Sequence, residues 1–315
     1  MAAACCPDPP PDDFDTWQDL ASYESKFANL DGITLHYLDW GGSGEVILFL
    51  AGAGQTAYVM GGLADRFKES HRVLALTRRG TGESDHPDDG YAIDDHVSDI
   101  VMFLNELGIA RATFVGHSMG GAEITRVAEL YPSRVQRLVY LDGTGDFEGS
   151  AEILGANPHP RPTARDFGVP ATASLRDYFR VHFYGFWSAS LEADLRVRSR
   201  MPGHPELLST FLEDATSNPN NYAAVSAPAL AFFAAQGFKE WAPGLAAVAS
   251  PEVRAAAEEY FETVRLPFTR LGADRFRREM RNGRLIELRA HHHFFIPLED
   301  LVVEEMTTFF SETPG

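Results

Sequence analysis

Residues 116–120 read Gly-His-Ser-Met-Gly, and they stand between a short apolar run and a segment with helical periodicity. The run before them, 112–115, predicts a strand, and the apolar spacing of Ile124, Val127 and Tyr131 after them predicts a helix. Glycines flank a serine in this context because strand and helix crowd a sharp, strained turn that leaves the hydroxyl exposed. We therefore predict that Ser118 is a nucleophile.

The rest of the chain alternates between buried strands and helices. Continuous apolar runs at 46–50, 73–76, 138–141 and 228–233 are typical of parallel strands buried on both faces. An apolar stripe over 93–107 and a long helical stretch over 252–281 predict helices, 284–288 predicts a last strand, and 301–310 predicts a final helix. Such alternation requires crossover connections and therefore indicates a mostly parallel sheet.

The predicted domain organisation is one α/β core with an insertion, since 315 residues with 44% hydrophobic content suffice for a single large core. Residues 1–20 are rich in Pro and Asp and are expected to be a disordered tail. Residues 21–146 and 227–315 form the two parts of the core. Between them, residues 147–226 have no buried-strand pattern, and helical stretches at 175–186 and 207–214 predict a helical cap.

Charge and cysteine content exclude several classes of protein. The formal net charge of −18 argues against partners such as nucleic acid or an anionic membrane surface. No apolar run approaches the roughly 20 residues of a transmembrane helix, and the adjacent Cys5 and Cys6 cannot staple the core. The first six residues lack the features of an intact signal peptide, although a trimmed lipoprotein leader stays an alternative. We expect a cytoplasmic protein acting on a small-molecule substrate, with the oligomeric state open.

Three further stretches accompany the serine turn. They are residues 49–54 (Phe-Leu-Ala-Gly-Ala-Gly), 78–85 (Arg-Arg-Gly-Thr-Gly-Glu-Ser-Asp) and 290–295 (Ala-His-His-His-Phe-Phe). Together with residues 116–120 they resemble the oxyanion loop, the strand-four signature, the histidine loop and the nucleophile elbow of the α/β-hydrolase superfamily, in its cap-bearing serine hydrolase or esterase form. The resemblance implies the α/β-hydrolase fold, with a mostly parallel eight-stranded sheet flanked by helices and an inserted helical cap. It implies no cofactor.

A serine nucleophile needs a histidine base, because its hydroxyl is unreactive at neutral pH. Three consecutive histidines follow the last predicted strand, and the resemblance favours His293 as the base, with His292 as the alternative. A metal site built from the same run is disfavoured, since successive side chains in extended backbone point in opposite directions.

The acid that orients the base is less clearly marked. Relatives usually carry an aspartate after the seventh strand, and this chain has none there. Some relatives place the acid after the sixth strand, where Asp142 stands at a strand end facing the ligand crevice. Asp142 is therefore our predicted acid, and Glu240 and Asp146 are the alternatives.

Two backbone amides should stabilise the oxyanion that develops on the substrate. The resemblance assigns them to Met119, directly after the nucleophile, and to Ala53 in the loop after the first parallel strand. Arg78 and its neighbours are expected to fix that loop, and Glu123 is either a supporting residue or a solvated one.

Aromatic residues crowd the predicted cap between 178 and 187. Such clusters usually belong to a core, but an apolar wall for the substrate is the alternative. On that alternative we expect Phe183, Tyr184 and Trp187 to bind substrate.

These residues predict a serine hydrolase that cleaves a carboxylic ester or related acyl bond of a small apolar substrate through an acyl-enzyme. The same fold also serves aminopeptidases, carbon–carbon bond hydrolases and cofactor-free peroxidases, and these stay open. A non-catalytic receptor that binds a small ligand in the same pocket is the alternative outside enzymes, supported by the missing aspartate after the seventh strand.

Overall fold

The computed structural model of the protein describes residues 22–145, residue 183 and residues 186–313. The predicted disordered tail, residues 1–20, lies outside these ranges. The strands are β1 (Glu24–Leu30), β2 (Ile33–Gly41), β3 (Val46–Leu50), β4 (Arg72–Leu76), β5 (Ala112–His117), β6 (Val135–Leu141), β7 (Ala229–Ala234) and β8 (Gly283–Leu288).

The described helices lie in the connections after β3 and after the chain's last strand. They are α1 (Gly61–Asp65), α2 (Ile93–Glu106), α3 (Met119–Leu130), α4 (Ala189–Arg200), α5 (Pro205–Ser217), α6 (Phe238–Trp241), α7 (Pro243–Val248), α8 (Pro251–Tyr260), α9 (Leu266–Glu279) and α10 (Glu299–Glu312). Three short 3₁₀ turns lie at Ala57–Met60, Pro132–Arg134 and Tyr222–Ala224, and a π-helical turn, Phe261–Arg265, joins α8 to α9.

The eight strands form one sheet in the order β1-β2-β4-β3-β5-β6-β7-β8. β2 pairs antiparallel with β1 and with β4, and all the other pairings are parallel. The predicted mostly parallel eight-stranded sheet is confirmed. Because β3 lies between β4 and β5, the strand order changes direction there, and a crevice opens at the carboxyl ends of β3 and β5.

The core lies on both faces of this sheet. Alternate residues of each central strand belong to two separate hydrophobic clusters: Leu48 and Phe114 to one, and Phe49 and Val115 to the other. This is the period-2 alternation of a strand covered by helices on both sides, and it explains why the central strands are continuous apolar runs.

The helices predicted over 93–107 and 301–310 are present as α2 and α10, and β1 and β2 form a hairpin. Gly32 turns β1 into β2 with φ 81°, a left-handed conformation that glycine adopts without steric cost. The stretch expected to be helical over 252–281 consists of α8, the π-helical turn and α9.

The region predicted to be the cap is described only from residue 186 onward, apart from Phe183. It contains α4 and α5, which include the stretch predicted at 207–214, whereas most of the stretch predicted at 175–186 lies outside the described residues. The Asp194 carboxylate of α4 accepts hydrogen bonds from the Thr56 N–H at 2.8 Å and from the Thr56 hydroxyl at 2.7 Å. α4 is thereby fixed to the loop that follows β3.

Candidate active site

Ser118 lies at the junction of β5 and α3. Its backbone has φ 52° and ψ −116°, a conformation that L-residues adopt only under strain. The Ser118 N–H donates to the Leu141 carbonyl at 3.1 Å, and its own carbonyl accepts from the Gly121 N–H at 2.9 Å. The half-buried side chain lines a cavity. The strained strand–turn–helix expected from the sequence is present.

Glycines surround the turn because backbone approaches it closely. A Cβ on Gly116 would lie 2.4 Å from the Gly120 carbonyl oxygen, and one on Gly121 would lie 1.9 Å from the Gly143 carbonyl oxygen. Neither separation leaves room for a side chain. The glycines therefore allow α3 to pack directly on the ends of β5 and β6.

Asp142 follows β6 and has φ 47°. One carboxylate oxygen accepts from the Ala234 N–H at 2.9 Å, and the other accepts from Gln236 Nε2 at 3.2 Å. The second oxygen also lies 2.5 Å from Nδ1 of His292. A carboxylate only accepts hydrogen bonds, so this contact requires the imidazole proton on Nδ1. The Asp142 carboxylate is fixed in orientation by three donors.

The histidine in contact with the acid differs from the prediction. The sequence favoured His293, but the structure bonds His292 to Asp142. Nε2 of His293 lies 2.8 Å from Nε2 of Gln55, and its ring packs against Phe183 with centroids 4.9 Å apart. Residues 292–298 form consecutive turns, so neighbouring side chains point in different directions. The turn geometry therefore decides which of the three imidazoles reaches Asp142.

Two of the neighbouring imidazoles are held neutral. Burial lowers the pKa of His117 and of His293 well below the ordinary value, and the adjacent histidines lower both further. The His117 ring lies 4.5 Å from that of His292, and its Nε2 is 3.2 Å from the His292 carbonyl oxygen. His117 therefore supports the loop that carries His292.

The two alternative acids have other positions. One carboxylate oxygen of Glu240 accepts from the Gly237 N–H at 2.9 Å and from Nε of Arg289 at 3.1 Å. Glu240 thus caps α6 and pairs with an arginine, and none of its described hydrogen bonds goes to a histidine. Asp146 lies outside the described residues.

The predicted oxyanion loop lies beside the serine. Ala53 and Ser118 line the same cavity, and Met119 is the first residue of α3, where helix N–H groups are free of intrahelical acceptors. Arg78 fixes this loop by donating hydrogen bonds to the Ala51 carbonyl at 2.6 Å and to the Gly52 carbonyl at 2.7 Å.

Arg78 is in turn held by Glu123, which the sequence left undecided. The guanidinium makes two hydrogen bonds of 2.9 Å to the carboxylate, and both side chains are buried. The guanidinium and Nδ1 of His96, which lies 2.9 Å from the carboxylate, lower the pKa of Glu123 to about 2 although burial opposes this. Glu123 is therefore a buried supporting residue rather than a solvated one.

Two cavities meet at the serine. One has a volume of about 260 Å³ and lies between the loop after β3, the histidine loop and α4; the other has a volume of about 250 Å³ and lies between the ends of β6 and β7 and the start of α9. Of the described residues, Ser118, Arg265 and His292 line both cavities. The site can therefore receive a substrate on either side of the serine hydroxyl.

The three residues predicted to bind substrate have different positions. Phe183 lines the first cavity. Trp187 is buried in the hydrophobic cluster that includes Leu191 and Phe186, and it is not among the residues that line the two cavities. Tyr184 lies outside the described residues.

Several wall residues were not predicted from the sequence. They are Gln55, Arg198, Trp241 and Arg265. For Arg265 a signal was present: Pro267 stands inside an otherwise helical pattern and cannot donate to the carbonyl four residues earlier. A break in helical geometry is expected just before it, and the π-helical turn supplies that break.

Within residues 22–145 and 186–313, no cluster of three or more His, Cys, Asp or Glu side chains is arranged to hold a metal ion. The described helices also include none with the length and apolar character needed to cross a membrane.

The sheet order and the strained serine turn define the α/β-hydrolase fold. The sequence model described as "alpha/beta hydrolase fold" matches residues 45–269, which is more than half of the chain. The chain therefore belongs to the α/β-hydrolase family.

Curated relatives in the family carry several activities. The chain is 30% identical over 242 residues to a 2-hydroxy-6-oxononadienedioate/2-hydroxy-6-oxononatrienedioate hydrolase of Burkholderia vietnamiensis, covering 69% of this chain and 80% of that protein. It is 33% identical over 135 residues to a 2-(acetamidomethylene)succinate hydrolase of Mesorhizobium japonicum, covering 42% of this chain and 48% of that protein. The match to bifunctional epoxide hydrolase 2 of Sus scrofa is 32% identical and covers 48% of this chain and 30% of that protein. The last two matches thus span less than half of each relative.

Solved structures agree on the fold. The crystal structure of E-2-(acetamidomethylene)succinate hydrolase has a TM-score of 0.63 at 21% identity, covering 92% of this chain and 99% of that one. The epoxide hydrolase of Bacillus megaterium has a TM-score of 0.63 at 18% identity, covering 91% of this chain and all of that one.

Proposed function

We propose that this protein is a serine hydrolase that cleaves a carboxylic ester or related acyl bond through an acyl-enzyme. Ser118 is the nucleophile, His292 the base and Asp142 the orienting acid. The observation that carries the proposal is the 2.5 Å contact between Nδ1 of His292 and the Asp142 carboxylate, made beside cavities that Ser118 and His292 share.

This contact supports a different proposed role for each nitrogen of the His292 ring. Nδ1 donates to Asp142, so Nε2 is the atom that accepts the proton of the Ser118 hydroxyl as it attacks the carbonyl. Nε2 then returns the proton to the leaving group and later activates the water that releases the acyl group. Asp142 stabilises the imidazolium, which forms at each stage.

In this proposal, backbone amides stabilise the negative charge that develops on the substrate oxygen. Those of Met119 and Ala53 are the proposed donors, and one such donor contributes about 3 kcal/mol to transition-state stabilisation. Arg78 holds the two carbonyls that precede Ala53, which keeps that loop in place during the reaction.

The nucleophile argues against the chemistry of the epoxide-hydrolase relatives. Opening an epoxide through a covalent alkyl ester needs a carboxylate nucleophile, and this chain has a serine at position 118. The acid beside His292 also argues against a non-catalytic receptor, since the missing aspartate after β7 was the sole support for that alternative.

A second candidate is hydrolysis of a carbon–carbon bond next to a carbonyl. It is favoured by the dienedioate and trienedioate hydrolase of Burkholderia vietnamiensis, most of whose length the chain matches. The same serine, base and oxyanion donors serve both reactions. A substrate panel that includes esters, amides and a vinylogous diketone separates the two candidates.

The test is intact-mass analysis after exposure to a fluorophosphonate, comparing the wild type with Ser118→Ala. We expect one phosphonyl group on the wild type and none on the variant. An unlabelled wild type whose circular dichroism and cooperative unfolding are those of a folded protein would contradict the proposal.

A further inference from the structure

The first cavity beside Ser118 has an unusual charge balance for this chain. Its described lining contains two arginines, Arg198 and Arg265, and four histidines, while no aspartate or glutamate is among the described residues of that lining. The chain as a whole has a net charge of −18. Acidic side chains are thus abundant in the chain but not found among the described residues of this wall.

The two arginines come from separate elements of the fold. Arg198 belongs to α4, and Arg265 is the last residue of the π-helical turn between α8 and α9. Both reach a cavity whose remaining walls include the apolar rings of Phe183 and Trp241. Two arginines in the wall of one partly apolar cavity are the arrangement expected of an anion site with an apolar neighbour.

Arg265 has the more informative position. It lines both cavities, a property that it shares with Ser118 and His292 among the described residues. Its guanidinium carbon lies 5.6 Å from the centroid of the Phe261 ring. This cation–π contact holds the guanidinium beside an aromatic ring, and a guanidinium in such a position can also bind a carboxylate through its N–H groups.

Arg265 is the last residue of the π-helical turn, which lies just before Pro267. Pro267 offers no N–H to the preceding turn, and the five residues Phe261–Arg265 adopt π-helical bonding in its place. A π-turn inserts an extra residue and rotates the side chains that follow, and such turns concentrate at functional sites.

Arg198 is positioned by a buried partner. Its Nη1 lies 3.2 Å from the Asp194 carboxylate, which is itself fixed by Thr56 in the loop after β3. The side chain therefore approaches that loop, and its Nη2 would lie 3.7 Å from a Cβ placed on Gly54. An anion held by Arg198 would thus lie next to the predicted oxyanion loop.

We propose that the substrate carries a carboxylate group, bound by Arg265 and Arg198 beside the acyl bond that Ser118 attacks. This rests on the proposed serine hydrolase function and revises the apolar substrate expected from the sequence. The aromatic walls contact the hydrocarbon part of the substrate, while the arginines fix its charged end.

The experiment compares two esters that differ only in charge. They are the p-nitrophenyl monoester of glutaric acid and the p-nitrophenyl ester of glutaramic acid, in which an uncharged amide replaces the distal carboxylate. We expect the wild type to have a kcat/KM about 10- to 100-fold higher for the carboxylate ester, as for the loss of one or two charged hydrogen bonds. An equal kcat/KM, or a preference for the amide, overturns the inference.

Variants assign the preference to the arginines. Arg265→Gln and Arg198→Gln should each reduce the ratio of the two kcat/KM values toward one, and Arg265→Lys should give an intermediate ratio. The matched control is Arg200→Gln, an exposed residue of the same helix α4, which should keep the wild-type ratio. A ratio that is unchanged in both Arg265→Gln and Arg198→Gln overturns the assignment to these arginines. The charge preference of the wild type is measured without any variant, so it does not depend on whether the variants fold.

Failure of the inference and failure of the proposed function have different signatures. A wild type that takes up one phosphonyl group at Ser118 but shows no charge preference retains the function and loses the inference. A folded wild type that takes up none loses both. Where turnover of both esters is too slow to measure, glutarate should protect Ser118 from the fluorophosphonate better than glutaramide, and equal protection overturns the inference.

Discussion

Replacing His292 by alanine should abolish most of the catalytic rate, whereas the same change at the next residue, His293, should not. The two imidazoles are adjacent in the chain and both line the first cavity. They differ in their partners: His292 bonds to Asp142 at 2.5 Å, and His293 bonds to Gln55 at 2.8 Å. The pair is therefore its own matched control.

The expected size of the loss in each variant follows from these hydrogen-bond partners. Loss of the base disables Ser118 and Asp142 as well, because the three residues act as a unit. We expect His292→Ala to lower kcat by about 10⁴-fold or more, which is about 5 kcal/mol in the activation barrier. His293→Ala removes one neutral hydrogen bond and the contact with Phe183, so we expect a loss of about 1–3 kcal/mol in unfolding free energy and less than about tenfold in kcat.

The assay is steady-state hydrolysis of a p-nitrophenyl ester, with urea unfolding of each variant as the check on folding. A His293→Ala enzyme that is folded and inactive, beside an active His292→Ala enzyme, would refute the assignment made from the Asp142 contact. The base would then be the residue that the sequence favoured.

Three further predictions concern the proposed acid Asp142, the buried ion pair of Glu123 with Arg78, and the dependence of stability on pH. Asp142→Asn should lower kcat by about 10⁴-fold, since an amide no longer selects the Nδ1–H form of the imidazole, while Glu240→Gln should lower it little; ester hydrolysis measures both. Glu123→Gln should cost about 3–5 kcal/mol of unfolding free energy, measured in urea, because it leaves a buried guanidinium without its counter-charge. The unfolding free energy should also fall as pH drops below about 6.5, because the unfolded state then takes up protons that the buried His117 and His293 do not bind in the folded state, by up to about 1.4 kcal/mol per pH unit for each histidine.

Each of these three predictions has an outcome that would contradict it. Equal losses in Asp142→Asn and Glu240→Gln would remove the distinction between the two acids. A Glu123→Gln protein as stable as the wild type would mean that the ion pair with Arg78 contributes nothing net. For pH, His117→Gln should reduce the slope below pH 6.5 and leave the part due to His293, and an unchanged slope would show that His117 does not contribute. Glu123, whose pKa is lowered to about 2, adds a separate loss between about pH 4.5 and pH 2.

The strained turn at Ser118, the proposed nucleophile, was predictable from the sequence because it depends on local structure. The apolar run of β5, the glycines at 116 and 120 and the periodicity of α3 are all within 20 residues of Ser118. The same holds for the buried strands and for α2 and α10, whose apolar spacing reports which face is covered.

Tertiary structure decided which residues lie near Ser118, the proposed nucleophile. Which of three consecutive histidines faces Asp142 depends on the turns over 292–298, and a rotation by one residue would exchange them. Asp142 and His292 are 150 residues apart, so no local pattern relates them. Arg198 in α4 and Arg265 in the π-helical turn line the same cavity although they belong to separate elements. The spacing of residues in the sequence does not predict these contacts, because they result from packing between elements that are distant in the chain.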